Sequence, residues 1–83
     1  MKMSRQELYD RIVVFLQEHA ENTLENVDEN AQLLADLGFN SLDLMNLVND
    51  AEDEFGIVID DEDMEKIVTV GDVVDLVDRK TEE

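Results

Sequence analysis

One serine stands apart among the residues of this sequence that could do chemistry. Ser41 lies in the run Asp36-Leu37-Gly38-Phe39-Asn40-Ser41-Leu42-Asp43, after a loop and a glycine and where an apolar-periodic stretch begins. A serine so placed is exposed, and its hydroxyl offers an attachment point. A phosphodiester on that oxygen would face backbone N–H groups and the positive end of a helix, both suited to an anion. Taken alone, the same serine is first of all a helix N-cap, because serine is among the preferred capping residues.

Other chemistries find little footing. Nucleophilic catalysis needs a nucleophile, a base and an orienting group, and the chain has one histidine, His19, at the expected end of the first helix. There its charge would complement the helix dipole. Gly38, Gly56 and Gly71 are too far apart for a phosphate-cradling loop. Without cysteine, disulfides and Cys-based metal or redox sites are excluded. A calcium loop also fails: counting from Asp60, Met64 and Glu65 fall where an oxygen ligand and a glycine are needed. Counting from Asn49, Ala51 falls on a ligand position. Weak divalent binding by clustered carboxylates is expected, a dedicated metal cage is not.

The elements that must position Ser41 read as helices. Leu8, Ile12, Phe15 and Leu16 form one apolar face, widened by Val13, and Ser4 with Glu7 makes a capping box. A helix from Arg5 to about His19 follows. Residues 20–40 hold isolated apolar positions (Leu24, Val27, Leu33, Leu34, Leu37, Phe39) among polar ones, including Asn22, Asn26 and Asn30. A connection near that length is unusual unless packed or functional, so its leucines are expected to pin it to the core. Gly38 supplies backbone freedom before the second helix.

That second helix is capped by Asn40 or Ser41, carries the stripe Leu44, Leu47, Val48, Ala51 and Phe55, and stops at Gly56. Ile57-Val58-Ile59 reads as an apolar connection into the core, because a lone strand has no partner. One or two helical turns fit Asp60 to Lys66. Thr69 and Asp72 cap a last helix whose valines, Val70, Val73, Val74 and Val77, share a face and rely on packing for helicity. The expected fold is an all-α bundle of three main helices and one short helix with a long first loop, one domain over residues 1–83.

Charge narrows the partners. The 83 residues include 23 Asp or Glu against 6 Lys or Arg, for a formal net charge of −17. Nucleic acids and anionic membrane surfaces would be repelled. All six basic residues fall in 1–11 or 66–80, whereas Ile12 to Glu65 holds sixteen acidic residues and no Lys or Arg. High charge also raises the alternative of disorder, countered by an apolar content of 43% that is periodic rather than scattered. No apolar run approaches a membrane span, and Met-Lys-Met-Ser-Arg-Gln-Glu lacks the apolar stretch of a secretory signal. The cytoplasm is the expected location.

The Ser41 stretch resembles the acyl carrier protein family, whose members carry Leu-Gly-x-Asp-Ser-Leu at the start of the second helix. The resemblance continues through Glu52-Asp53-Glu54-Phe55, Ile59-x-Asp61-Glu62, Glu65-Lys66-Ile67 and Thr69-Val70. It implies that Ser41 is esterified by 4′-phosphopantetheine, donated from coenzyme A by a carrier-protein synthase (a phosphopantetheinyl transferase). The arm's thiol would hold acyl intermediates of fatty-acid, polyketide or related lipid biosynthesis as thioesters. A cysteine-free chain would thereby handle thiol chemistry as a monomeric shuttle rather than a catalyst. Asn40, Leu42, Asp43, Met45, Asn46, Glu52 and Asp53 would contact basic patches on acyl-transfer and synthase enzymes. Leu44, Leu47, Val48, Ala51, Phe55, Ile59 and the last helix's valines would line a core that in the family opens to shelter the acyl chain.

Two of these assignments keep simpler alternatives: Leu42 and Met45 can be partly buried against the loop, and the acidic faces can serve solubility alone. The sequence departs from the family at Asn40, where aspartate is usual, at Asn46 and Asn49, where many fatty-acid carriers show Glu and Met, and at Asp60, where proline is frequent. These departures point to a specialised carrier. An aminoacyl or peptidyl carrier would share Ser41 and the arm. An unmodified acidic interaction module, or a weak divalent buffer, would leave Ser41 merely a cap.

Overall fold

The computed structural model describes residues 3–19 and 27–82. Four helices appear among them: α1 (Arg5–His19), α2 (Ser41–Phe55), α3 (Asp61–Glu65) and α4 (Val70–Glu82). The order long, long, short, medium is the one expected, and no strand is present among the described residues. Asn22, Leu24, Asn26 and the His19 side chain lie outside the described residues.

Each helix begins where local side chains satisfy its first amides. Ser4 Oγ accepts from the Glu7 amide at 3.2 Å, and Glu7 Oε1 accepts from the Ser4 amide at 3.3 Å. Asp60 and Asp63 form the same reciprocal box at α3. At α4, Thr69 Oγ1 accepts from the Asp72 amide at 3.2 Å, and the Asp72 carboxylate accepts from the amides of Thr69 and Val68 at 3.0 Å each. The Thr69 amide, with that of Val68, holds the Asp72 carboxyl below its usual range despite burial. Gly56 ends α2 at φ 65°, a left-handed conformation that glycine adopts without a Cβ penalty.

The core lies where three helices meet. α1 packs against both α2 and α4 and buries Leu8, Ile12 and Leu16, opposite Leu47, Val48 and Ala51 of α2 and Val70, Val73, Val74, Leu76 and Val77 of α4. Phe15 and Phe55 meet edge-on, with centroids 6.4 Å apart, closing one end between α1 and α2. α3 is too short to be stable alone. It is held by the buried residues that flank it, Ile59 and Ile67, and by Asp63, whose carboxylate meets Lys80 Nζ at 3.0 Å and Arg79 at 3.5 Å.

The long first connection is tolerated because it is hydrogen-bonded to the start of α4. The Leu33 amide donates to Val68 O, the Val70 amide to Ala31 O and the Gly71 amide to Glu29 O, at 3.0, 3.0 and 2.9 Å, and Gln32 and Thr69 form an isolated antiparallel bridge. Arg5 adds ion pairs to both Glu29 and Asp75. Two expectations need correction. Leu34 was expected to pin the loop, yet it is 54% exposed; the turn over 32–37 sends Leu33 inward instead. In the connection Ile57-Val58-Ile59 only Ile59 is buried, while Val58 is 73% exposed, because an extended backbone alternates its side chains.

Candidate functional site around Ser41

The loop reaches Ser41 on a rigid approach. Asp36 Oδ2 accepts from the Gln32 amide at 2.8 Å, and the amides of Asp36 and Leu37 return to Gln32 O, closing a compact turn. Gly38 then takes φ 75°, and Phe39 is buried, with its amide donating to Leu33 O at 3.1 Å. The chain therefore arrives at α2 with one anchored aromatic ring two residues before the serine.

Asn40, not Ser41, is the cap. Its Oδ1 accepts from the Asp43 amide at 2.8 Å, and the Asp43 carboxylate accepts from the Asn40 amide at 3.2 Å. Ser41 is thus the first residue of α2, exposed, and its hydroxyl makes no hydrogen bond among the described residues. The amides of Ser41 and Leu42 likewise have no partner there, as the first turn of a helix leaves them. An uncommitted hydroxyl flanked by two amide donors at a helix N-terminus fits a phosphodiester attached through that oxygen.

The other candidate residues separate by helical face. Leu42 and Met45 are 65% and 51% exposed rather than packed against the loop. Asn46 and Asp53 are exposed on the same side, and so is Asn49. Asp43 is half-buried in the cap. Glu52 points elsewhere: it is half-buried and its Oε2 accepts from the Ile59 amide at 2.9 Å, fastening the connection to α3. Sequence reasoning did not reach that role, nor the ion pairs of Arg11 with Glu54 and of Asp63 with Lys80. No spacing in the sequence signals those three contacts; the Asp60-x-x-Asp63 box at α3, by contrast, has the spacing used for the other helices.

Among the described residues no three histidines or carboxylates are grouped to hold a metal ion, and no helix is long and apolar enough to cross a membrane.

Comparison with known proteins gives these features a context. Residues 10–77 match the family model described as a phosphopantetheine attachment site. Acyl carrier protein from Thermotoga maritima is 44% identical over 93% of this chain and 95% of its own length. That from Saccharopolyspora erythraea is 42% identical over 89% and 78%. The crystal structure of a Thermotoga maritima acyl carrier protein superimposes with a TM-score of 0.83 at 40% identity, covering 96% of this chain and 93% of that one. The Enterococcus faecalis acyl carrier protein does so with a TM-score of 0.78 at 35% identity, over 94% and 99%. With an all-helical bundle, a capped helix presenting a serine, and matches over nearly its whole length, the chain belongs to the acyl carrier protein family and bears that family's phosphopantetheine attachment domain.

Proposed function

We propose that Ser41 is the residue esterified by 4′-phosphopantetheine, and that the chain is a discrete carrier of acyl intermediates for fatty-acid, polyketide or related lipid biosynthesis. The observation that carries the assignment is the division of labour at the start of α2. Asn40 does the capping, so the exposed Ser41 hydroxyl is left without a structural task. The amides of Ser41 and Leu42 and the positive helix end would stabilise the phosphodiester. When attached, the arm supplies the thiol that holds an acyl group as a thioester.

The remaining assignments follow from that role. The protein would act in the cytoplasm as a monomeric, single-domain shuttle, and residues 40–53 would meet the transferase and the enzymes that load and unload the arm. The departures at Asn40, Asn46 and Asn49 favour a specialised carrier. The acyl type is favoured over an aminoacyl or peptidyl carrier by the acyl carrier proteins among its relatives.

The test is an intact-mass measurement after incubating the apo-protein with coenzyme A and a broad-specificity phosphopantetheinyl transferase. Wild type should gain a single phosphopantetheine and Ser41→Ala none. An unchanged wild-type mass, with a control carrier modified in the same tube, would overturn the assignment.

A further inference from the structure

Between Leu33 and Phe39, both buried, the chain that leads to Ser41 has no buried side chain. Leu34, Ala35, Asp36 and Gly38 are exposed, and Leu37 is half-buried. Apolar packing therefore fixes the two ends of this approach but not its course, and Gly38 at φ 75° adds a point of wide backbone freedom. Hydrogen bonds set the course instead. The Leu33 amide donates to Val68 O at 3.0 Å, and Leu33 O takes the Phe39 amide at 3.1 Å. Val68 is itself held, because its amide and that of Thr69 both donate to the Asp72 carboxylate. Within this frame Gln32 O takes the amides of Asp36 and Leu37 at 2.9 and 3.1 Å, and the Gln32 amide donates back to Asp36 Oδ2 at 2.8 Å. Asp36 thus commits both its amide and its carboxylate to one turn, five residues before the serine.

We propose that Asp36 is a positioning residue for phosphopantetheine transfer: by clamping Gln32 it fixes how the chain enters α2, and so where the Ser41 hydroxyl sits. It acts through the backbone of the turn. In the transfer, Ser41 Oγ bonds to the pantetheine phosphorus of coenzyme A and the pyrophosphate P–O bond breaks. 3′,5′-Adenosine bisphosphate leaves, and the hydroxyl proton passes to a base of the transferase. The attacking and leaving oxygens must lie roughly in line, and a misplacement of about 1 Å can cost about 100-fold in rate. Asn40 fixes the serine relative to α2, whereas Asp36 fixes the segment that delivers Asn40. The carboxylate serves there as a hydrogen-bond acceptor, so an amide oxygen in its place does the same work without the charge.

This role rests on Ser41 being the attachment site, and the experiment separates the two. Apo-protein and coenzyme A are mixed with a broad-specificity phosphopantetheinyl transferase in excess, so that single turnovers are followed. The temperature is one at which thermal melts show the variants folded. The maximum rate at saturating transferase and the transferase concentration at half-maximum are read separately. Asp36→Ala should lower the maximum rate about tenfold and leave the half-saturating concentration within about twofold of wild type. Asp36→Asn, which keeps an oxygen acceptor and loses the charge, should return the maximum rate to within about twofold of wild type. Hydrogen exchange at the Gln32 amide should quicken about tenfold in Asp36→Ala and not in Asp36→Asn. Wild-type kinetics in Asp36→Ala, an Asp36→Asn as slow as Asp36→Ala, or a loss that appears in the half-saturating concentration would overturn the positioning role while the carrier assignment stands. So would an Asp36→Ala that does not melt cooperatively, since the carboxylate would then support the fold as a whole. Failure of the transferase to modify wild type overturns both.

Discussion

At position 40 an asparagine closes the cap that aims α2, and the consequence for its neighbour is geometric. Because Asn40 Oδ1 takes the Asp43 amide, the serine is free to face outward. Asn40→Ala should lower stability by about 1 kcal/mol, measured by urea unfolding, as for other lost N-caps; an unchanged midpoint would mean that the cap is not needed. Gly71 makes a second test. A Cβ there would lie 3.0 Å from Glu29 O and 3.2 Å from Glu29 Cβ, and that backbone is tied down by the Gly71 amide itself. In a free helix, glycine to alanine gains about 1 kcal/mol. Here overpacking of about 1–3 kcal/mol opposes it. Gly71→Ala should therefore lower the melting temperature, and a rise would show that the loop yields easily. The cap at Asn40 was legible as one of two options from its three-residue spacing to Asp43. The tight approach at Gly71 was not, since Glu29 is distant in sequence.

Elements show the same division between local and distant information. The capping boxes at α1 and α4, the stop at Gly56 and the stripe of α2 all depend on residues within a turn or two, and each was readable from spacing. The facing of Leu34 depends on the turn over 32–37, and that of Val58 on an extended segment tied to α2 through Glu52, and residue type alone misplaces both. Ion pairs spanning 70 residues (Arg5 with Asp75) or 16 (Arg79 with Asp63) leave no periodic trace. The Asp63 clamp on α3 has a pH signature. Lys80 first, and the Asp60 amide after it, hold the Asp63 carboxyl below its ordinary value of 3.8 against the opposing effect of burial. A depressed folded-state pKa gives stability that is present above the unfolded value and lost as pH falls through it toward the folded one. The melting-temperature gap between wild type and Asp63→Asn should be full above about pH 5 and should close below 3.8. A gap that stays constant through the acid range would contradict the clamp.

For the whole molecule the governing quantity is charge. Seventeen uncompensated negative charges repel one another in the folded state, and sixteen acidic residues occupy a stretch with no Lys or Arg. Salt shortens the Debye length to about 10 Å at 0.1 M, so the melting temperature should rise with NaCl, and more with Mg²⁺ at equal ionic strength. A flat response to both would remove self-repulsion from the account. The charge was visible in composition from the start, but its allocation was not: on α2 Asp43 closes the cap, Glu52 fastens the connection to α3 and Glu54 pairs with Arg11. Among the described residues, Ser41 presents its hydroxyl at the head of a capped helix that a pinned loop leads into. The most direct measurement is peptide-level mass spectrometry of the protein co-expressed with a phosphopantetheinyl transferase and then loaded with an acyl group. The account predicts phosphopantetheine on the peptide containing Ser41, bearing an acyl thioester that neutral hydroxylamine releases. An unmodified Ser41 peptide, or an arm attached to any other residue, would contradict it.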